Sequence, residues 1–202
     1  MKTLWNSHTA LTVRRVALLY AVLALCRALF FLHNRELIGP LETWGSLVKG
    51  ALQFDTVSIL YAEGLWLVLA LLPLPLAWRE SRLWQRLLFA LYSVIGSLVI
   101  ALNLSDAVYF RYTQKRFTAD EIFFADNSNS LQLMGKFMAE NWPLVLAWGV
   151  LTALLVWGGR GGEHPKSPLR RGWSYYPAGL IVLALAVGLS IGGIRGGFTR
   201  MT

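Results

Sequence analysis

The stretch from Asn103 to Asp126 reads NLSDAVYFRYTQKRFTADEIFFAD, and the fold of the chain is organised around it. It is the one long polar and aromatic segment between blocks of apolar residues, and it begins where an apolar run ends. Its aromatic rings alternate with basic side chains, a pattern typical of segments at headgroup depth beside a membrane. The stretch therefore predicts an extracytoplasmic connector that lies at the membrane interface.

The composition of the chain supports a membrane protein. Of its 202 residues, 55% are apolar and only 15% are charged, and the mean hydropathy is +0.49. The apolar residues occur in long runs, and about 20 such residues cross the hydrocarbon core of a bilayer as a helix. We therefore expect an all-α polytopic membrane protein, and an ordinary soluble domain is excluded.

Apolar runs predict five transmembrane helices in a single transmembrane domain of residues 1–202. The predicted spans are residues 13–32, 56–78, 83–104, 142–158 and 175–194. A basic start before the first run also fits a signal peptide, but no small-residue cleavage site follows, which favours an uncleaved helix.

Two longer segments between the spans are predicted to be interfacial connectors, at residues 33–54 and 105–140. Apolar residues in both recur every three to four positions, as in amphipathic helices that lie on a membrane. In the second connector, Thr118–Glu121 has the T-x-x-E form of a capping box and predicts a helix start.

The distribution of basic residues predicts the orientation. With the N-terminus in the cytoplasm, ten Lys and Arg residues fall in the short inner segments and eight in the longer outer ones. This bias favours a cytoplasmic N-terminus, and five spans then place the C-terminus outside. The net charge of +8 is interpreted as this topology signal plus attraction to anionic lipids, rather than as nucleic-acid binding.

Two charged side chains, Arg27 and Glu63, fall inside predicted spans. A charge in a span is costly and usually faces a partner or water. The two residues are candidates for an intramembrane polar pair. Alternatively, Arg27 extends to the headgroups. The alternatives for Glu63 are that it lines a polar cleft, is solvated by the headgroup region or is protonated. Asp55, Asn103 and Asp106 stand at span ends as candidate structural polar residues.

No residues form a recognisable catalytic or metal-binding set. His8, His33 and His164 are scattered without metal-ligand spacing, and the single cysteine, Cys26, has no partner for an internal disulfide. The sequence therefore assigns no catalytic residue, no metal ligand and no cofactor to this chain.

Several short motifs resemble the membrane half of the lipoteichoic acid synthase-like family, which comprises membrane-anchored phosphoglycerol transferases and sulfatase-like relatives within the alkaline phosphatase superfamily. Gly50–Asp55 resembles the family's glycine and arginine-phenylalanine-aspartate motif at the entry to the second span, with Gln53 in place of the arginine. Parts of the connector from Asn103 to Thr118, and the exit sequence Ile194–Phe198, are similar as well.

This resemblance implies an anchor for an extracytoplasmic α/β catalytic domain, which uses a threonine nucleophile and a divalent metal of the manganese type. We expect that domain beyond Thr202, so the resemblance leaves open whether this chain is itself an enzyme. It also implies the cytoplasmic membrane of a bacterium as the location. Membrane lipids, a lipid-linked substrate and the catalytic domain would be the partners.

Arg111, Lys115 and Arg116 are the candidates for binding a lipid headgroup or docking that domain, since basic side chains pair with phosphate and carboxylate groups. Ordinary anchoring at the interface is the alternative for these three residues. Two other functions stay open for the whole chain: a small self-contained transporter or channel, and a membrane scaffold without chemistry.

Overall fold

The computed structural model describes residues 8–38, 44–114, 139–160 and 180–188, apart from residues 182 and 186. All regular secondary structure in these ranges is helical. The helices are α1 (His8–His33), α2 (Trp44–Ala62), α3 (Gly64–Leu71), α4 (Leu76–Arg79), α5 (Arg82–Thr113) and α6 (Trp142–Gly159). The expected all-α class is confirmed for this part of the chain.

The core of the bundle lies between α1, α5 and α6, which pack against one another. α5 presents a buried stripe in which every fourth residue faces inward, because residues four apart share one face of a helix: Leu88, Tyr92, Gly96, Ile100 and Leu104. Ile59 of α2 and Trp66 of α3 belong to the same core, as do these buried side chains of the other two helices: Leu19, Val22, Leu23, Cys26, Leu151 and Leu155.

The same three helices are long and apolar enough to cross a membrane, over Ala10–His33, Arg82–Thr113 and Trp142–Gly159. Their outward faces carry large exposed apolar side chains, among them Leu25, Leu98 and Leu154. Such faces are stable where hydrocarbon rather than water surrounds the helices. These helices therefore indicate a membrane protein.

The region of the second predicted span is a bent pair of helices rather than one straight helix. Gly50–Ala62 of α2 and Gly64–Leu71 of α3 are bent by 69° at Glu63. Glu63 has φ −95° and ψ 4°, in a sparsely allowed part of backbone space. Gly64 follows it, and glycine inside a helix costs about 1 kcal/mol relative to alanine. If the pair is one broken span, the described residues hold up to four spans.

Proline sets the end of the bent pair. α3 ends at Leu71 because Pro73 disfavours helical backbone at Leu72, which has φ −58° and ψ 127°. A short helix, α4, then replaces the last part of the helix predicted over residues 56–78.

Several helices extend beyond the apolar runs that predicted them. α2 begins at Trp44, inside the predicted connector of residues 33–54, and α5 continues to Thr113, beyond the predicted limit of 104. Hydropathy marks only the apolar part of a helix, whereas breakers and caps set its ends. α5 ends at Thr113, and the next residue, Gln114, has a φ of 56°, the left-handed conformation of a helix C-cap.

The remaining sequence predictions lie mostly outside the described residues. These are the capping box at Thr118–Glu121, the connector from residue 115 to residue 138, and most of the fifth span. Within that predicted span, the described residues between 180 and 188 are helical.

Candidate functional site

Arg27 of α1 forms an ion pair with Asp55 of α2. The guanidinium also donates to the carbonyl oxygen of Ala51, with 3.2 Å between the nitrogen and the oxygen. The side chains are 23% and 9% exposed, so the pair is partly shielded and joins α1 to α2. Glu63 was the candidate partner of Arg27, with extension of Arg27 to the headgroups as the alternative, and in the structure Arg27 pairs with Asp55.

Glu63 lies at the bend between α2 and α3 and is only 1% exposed. Neither carboxyl oxygen has a hydrogen-bond partner within the described ranges, and the side chain does not cap α3. It extends toward α5, where its Oε1 lies 3.5 Å from the position that a Cβ atom would occupy at Gly96. Such burial does not fit the alternative of a carboxylate solvated by headgroups.

The end of the bundle where α1 finishes, called here the His33 end, is held by contacts between α1 and α5. The Asn34 side chain is fully buried, and its amide nitrogen donates to the carbonyl oxygens of Phe30 at 3.1 Å and Ala107 at 2.9 Å. Arg111 donates to the carbonyl oxygen of His33 at 2.9 Å. These hydrogen bonds fix the position of the end of α1 along α5.

Of the basic residues predicted to bind a headgroup or a domain, Arg111 is described, and Lys115 and Arg116 lie outside the described residues. Besides its bond to the backbone, Arg111 has a nitrogen 3.9 Å from the Glu36 carboxylate, and both side chains are well exposed. Asn103 donates to the carbonyl oxygen of Val99 in its own helix at 2.9 Å. Arg111 thus stabilises the His33 end. Asn103 and the half-buried Asp106 were predicted at the end of a span but lie inside α5, because this helix continues to Thr113.

At the opposite end, called here the His8 end, Arg15 is buried with 4% of its surface exposed. Its Nε donates to the carbonyl oxygen of Gly159 at 3.0 Å, where a cation complements the negative C-terminal end of α6. The guanidinium carbon is 5.3 Å from the ring centre of Phe89 and 5.4 Å from that of Tyr92, within the range of cation–π contacts. Arg15 therefore joins α1, α5 and α6.

His8 is also buried at this end. Its Nδ1 lies 3.2 Å from Nε2 of Gln85, and the same amide donates to the carbonyl oxygen of Arg79 at 2.8 Å. Burial first, and then the positive charge of Arg79, lowers the pKa of His8 to about 4. His8 is therefore a neutral hydrogen-bond acceptor at pH 7.

Sequence reasoning missed the roles of Asn34, Arg15 and His8. Arg15 was assigned to the topology signal, which does not distinguish a basic side chain in water from one turned into the bundle. Asn34 carried a usable signal, because it is an amide directly after a long apolar run, where a helix end leaves carbonyl groups unpaired.

A groove of about 160 Å³ lies between α5 and α6, lined mostly by apolar side chains such as Leu104, Val108, Leu144 and Trp148. The described residues contain no group of three or more His, Cys, Asp or Glu side chains that could hold a metal ion. The buried polar contacts of Arg15, Arg27 and Asn34 join helices to one another.

Comparisons with protein-family models, with curated proteins and with solved structures find no match to this chain. The family resemblance rests on the short sequence motifs alone.

Proposed function

We propose that this chain is a membrane-anchoring domain that holds an extracytoplasmic phosphoglycerol transferase or sulfatase-like catalytic domain near a lipid-linked substrate. The observation that supports this proposal is the set of polar contacts at the His33 end, where Asn34 and Arg111 join α1 to α5. An anchor that positions a catalytic domain needs such a fixed end, because misplacement of a reacting group by about 1 Å costs roughly 100-fold in rate.

The proposal includes five spans in the cytoplasmic membrane of a bacterium, with the N-terminus in the cytoplasm. The His33 end then faces outward, on the side of the catalytic domain. The Gly50–Asp55 motif, on which part of the resemblance rests, also supplies the carboxylate that pairs with Arg27. Because Asp55 of this motif joins α2 to α1, the contact supports a structural role for the motif.

The catalytic chemistry would come from the extracytoplasmic domain and its manganese-type metal, not from the helices. The share of this chain would be to hold that domain and to bind a phosphate headgroup through Arg111, Lys115 and Arg116. A planar guanidinium suits a phosphate because it donates two parallel hydrogen bonds. Arg111 already lies on a fixed helix end, with half of its side chain exposed.

Site-specific photocrosslinking in intact cells tests the position of the catalytic domain. The photoreactive group replaces Tyr112, which is 67% exposed near the His33 end, or Trp157, which is 74% exposed near the His8 end and serves as the matched control. We expect Tyr112, but not Trp157, to capture a domain of the alkaline phosphatase superfamily, identified by mass spectrometry. Capture of lipid alone from both positions would contradict the proposal.

A second test separates substrate docking from catalysis. Replacing Arg111, Lys115 and Arg116 together by Gln is expected to impair turnover of lipid-linked substrate by the complete enzyme, while hydrolysis of a small soluble ester stays unchanged. Unchanged turnover of both substrates would exclude headgroup docking by these three residues.

Of the two other functions, the scaffold has no specific structural observation in its favour. The transporter or channel has one, which is the buried carboxyl of Glu63 at the bend of a broken helix.

A further inference from the structure

Glu63 differs from the other buried charged groups of the described chain. Arg15 donates to a backbone carbonyl, and Asp55 pairs with Arg27, whereas both carboxyl oxygens of Glu63 are without a hydrogen-bond partner. Removing an ion from water costs several kcal/mol even after the protein relaxes around it. A bare carboxylate at this position is therefore unstable, and a cation must accompany it.

We propose that Glu63 binds a small inorganic cation, either a proton or an alkali-metal ion, at the bend between α2 and α3. The cation neutralises the carboxylate and removes the cost of its burial. This inference does not rest on the anchoring function, because an anchor domain with a cation site and one without it hold an outer domain equally well.

In this proposal, the end of α2 at the bend is a second source of oxygen ligands beside the carboxyl group. The last carbonyl groups of a helix have no partner within that helix. The carbonyl oxygens of Ile59 and Glu63 already accept hydrogen bonds from the amides of Glu63 and Leu67, at 2.8 Å each. The ligands would therefore be the other carbonyl groups in the last turn of α2, from which the bend turns α3 away by 69°. In membrane transporters, broken helices present such carbonyl groups to Na⁺ or protons within the bilayer.

Gly96 of α5 leaves room beside the carboxyl group. A Cβ atom there would lie 3.5 Å from Oε1 of Glu63 and 2.5 Å from Cδ2 of Leu155, so a larger residue would fill the space next to the carboxyl. Two further buried polar atoms without hydrogen-bond partners occur one turn away along the chain, on Trp66 after Glu63 and on Ser93 before Gly96.

Among the described helices that pack around Glu63, no side chain supplies a cation to it. On α1, Arg15 is bound to the end of α6 and Arg27 to Asp55, and Cys26 is a buried thiol. On α5 the nearby ionisable group is Tyr92, whose hydroxyl donates to a backbone carbonyl at 3.4 Å.

α6 contains no ionisable side chain. Since the described helices around Glu63 supply no cation, we assign the cation to solution, and its two sources, water and dissolved salt, can be separated by experiment.

Infrared difference spectroscopy of the full chain in lipid nanodiscs tests the proposal. Spectra of the wild type are compared with those of Glu63→Gln and of Glu140→Gln, the control that removes an exposed carboxylate. A neutral-acid carbonyl band that disappears in Glu63→Gln alone identifies the cation as a proton. A carboxylate band that shifts on replacing choline chloride by NaCl or LiCl, again through Glu63 alone, identifies an alkali-metal ion.

A carboxylate band from Glu63 that does not respond to these salts would overturn the proposal. Labelling of the wild type with dicyclohexylcarbodiimide provides a second measurement if Glu63→Gln does not fold, because this reagent modifies protonated carboxyl groups in apolar surroundings. We expect mass spectrometry to find the adduct on Glu63, with labelling decreased by high pH for a proton or by NaCl for an alkali-metal ion. The proposal would also be overturned by two results together. These are labelling of Glu63 at low pH that is no greater than that of Glu140, and a thermal stability that does not change with NaCl.

Discussion

The guanidinium of Arg27 on α1 and the carboxylate of Asp55 on α2 form an ion pair, whereas Glu63, about two helical turns beyond Asp55, has no such partner in the described chain. Both acids belong to the same apolar region, so burial alone does not decide which of them pairs. In a partly buried pair, the loss of one partner leaves the other charge uncompensated, which costs more than replacing both by apolar residues.

This asymmetry leads to the first prediction. Arg27→Leu and Asp55→Leu are each expected to lower the free energy of unfolding by about 3 kcal/mol, and the double variant by clearly less than the sum. Unfolding in mixed micelles, followed by tryptophan fluorescence, measures all three variants.

Glu36→Leu provides the control, because Glu36 lies 3.9 Å from Arg111 in an exposed pair. Exposed pairs contribute less than about 1 kcal/mol. An effect of Asp55→Leu no larger than that of Glu36→Leu would show that the Arg27 pair does not stabilise the bundle.

The second prediction concerns the close contact of α5 and α6. A Cβ atom at Gly159 would lie 2.5 Å from Cε1 of Tyr92, whose ring is fully buried. Gly159→Ala is therefore expected to lower the free energy of unfolding by about 1 to 3 kcal/mol through overpacking. Gly149 lies on the same helix with nothing within 4 Å of such an atom.

Gly149→Ala is consequently expected to be neutral or to stabilise by at most about 1 kcal/mol, the difference in helix propensity. Apparent melting temperatures in detergent compare the two variants. Equal melting temperatures would mean that α6 does not approach Tyr92 at Gly159.

The third prediction separates two basic residues that sequence reasoning treated alike. Arg15→Ala removes the bond to Gly159 and the contacts with two aromatic rings, so we expect a loss of about 2 kcal/mol. Arg86→Ala removes an exposed side chain of the same charge, and its effect should stay within about 0.5 kcal/mol. Both variants remove one positive charge from the predicted cytoplasmic side. A similar loss of stability in both would therefore mean that the effect comes from the changed topology signal and not from the buried contacts of Arg15.

The sequence predicted those features of the fold that depend on hydropathy alone. α6 covers Trp142–Gly159, within one residue of the predicted span, and the described core is formed by helices expected from apolar runs. The bend at Glu63 was missed because hydropathy averages over a window and a single Glu-Gly step hardly changes that average.

The candidate site was less predictable than the fold. Charge and position made Arg27 a candidate for an ion pair, with extension to the headgroups as the alternative, and both Asp55 and Glu63 were acids within reach in the sequence. Only the packing of α1 against α2 selects between them. The buried interactions of Arg15 and Asn34 depend in the same way on the rotation of each helix, which a single sequence does not determine.

The fourth prediction tests the orientation in the membrane. In a variant with Cys26→Ser, a cysteine is introduced by Glu36→Cys or by Glu80→Cys, both at exposed positions at opposite ends of the bundle. We expect a membrane-impermeant maleimide to label position 36 in intact spheroplasts and position 80 only after lysis. The positive-inside rule places the turn that carries Arg79 and Arg82 in the cytoplasm. The reverse pattern would place the N-terminus outside.

The fifth prediction concerns pH and His8. Burial and then Arg79 lower the pKa of His8 from 6.5 to about 4 in the folded protein. Between these two values the unfolded chain binds more protons than the folded one, so the free energy of unfolding rises with pH across this window. At pH 4 the protein should be less stable than at pH 7 by up to about 3 kcal/mol from this residue.

His8→Gln keeps a hydrogen-bonding side chain beside Gln85 but cannot titrate, so its stability should vary less between pH 4 and pH 6.5 than that of the wild type. The difference between the two pH profiles isolates His8, because every other carboxyl and histidine group is common to both proteins. Parallel profiles would mean that water reaches His8 and restores its ordinary pKa. In that case the histidine would not be buried between α1 and α5 at the His8 end.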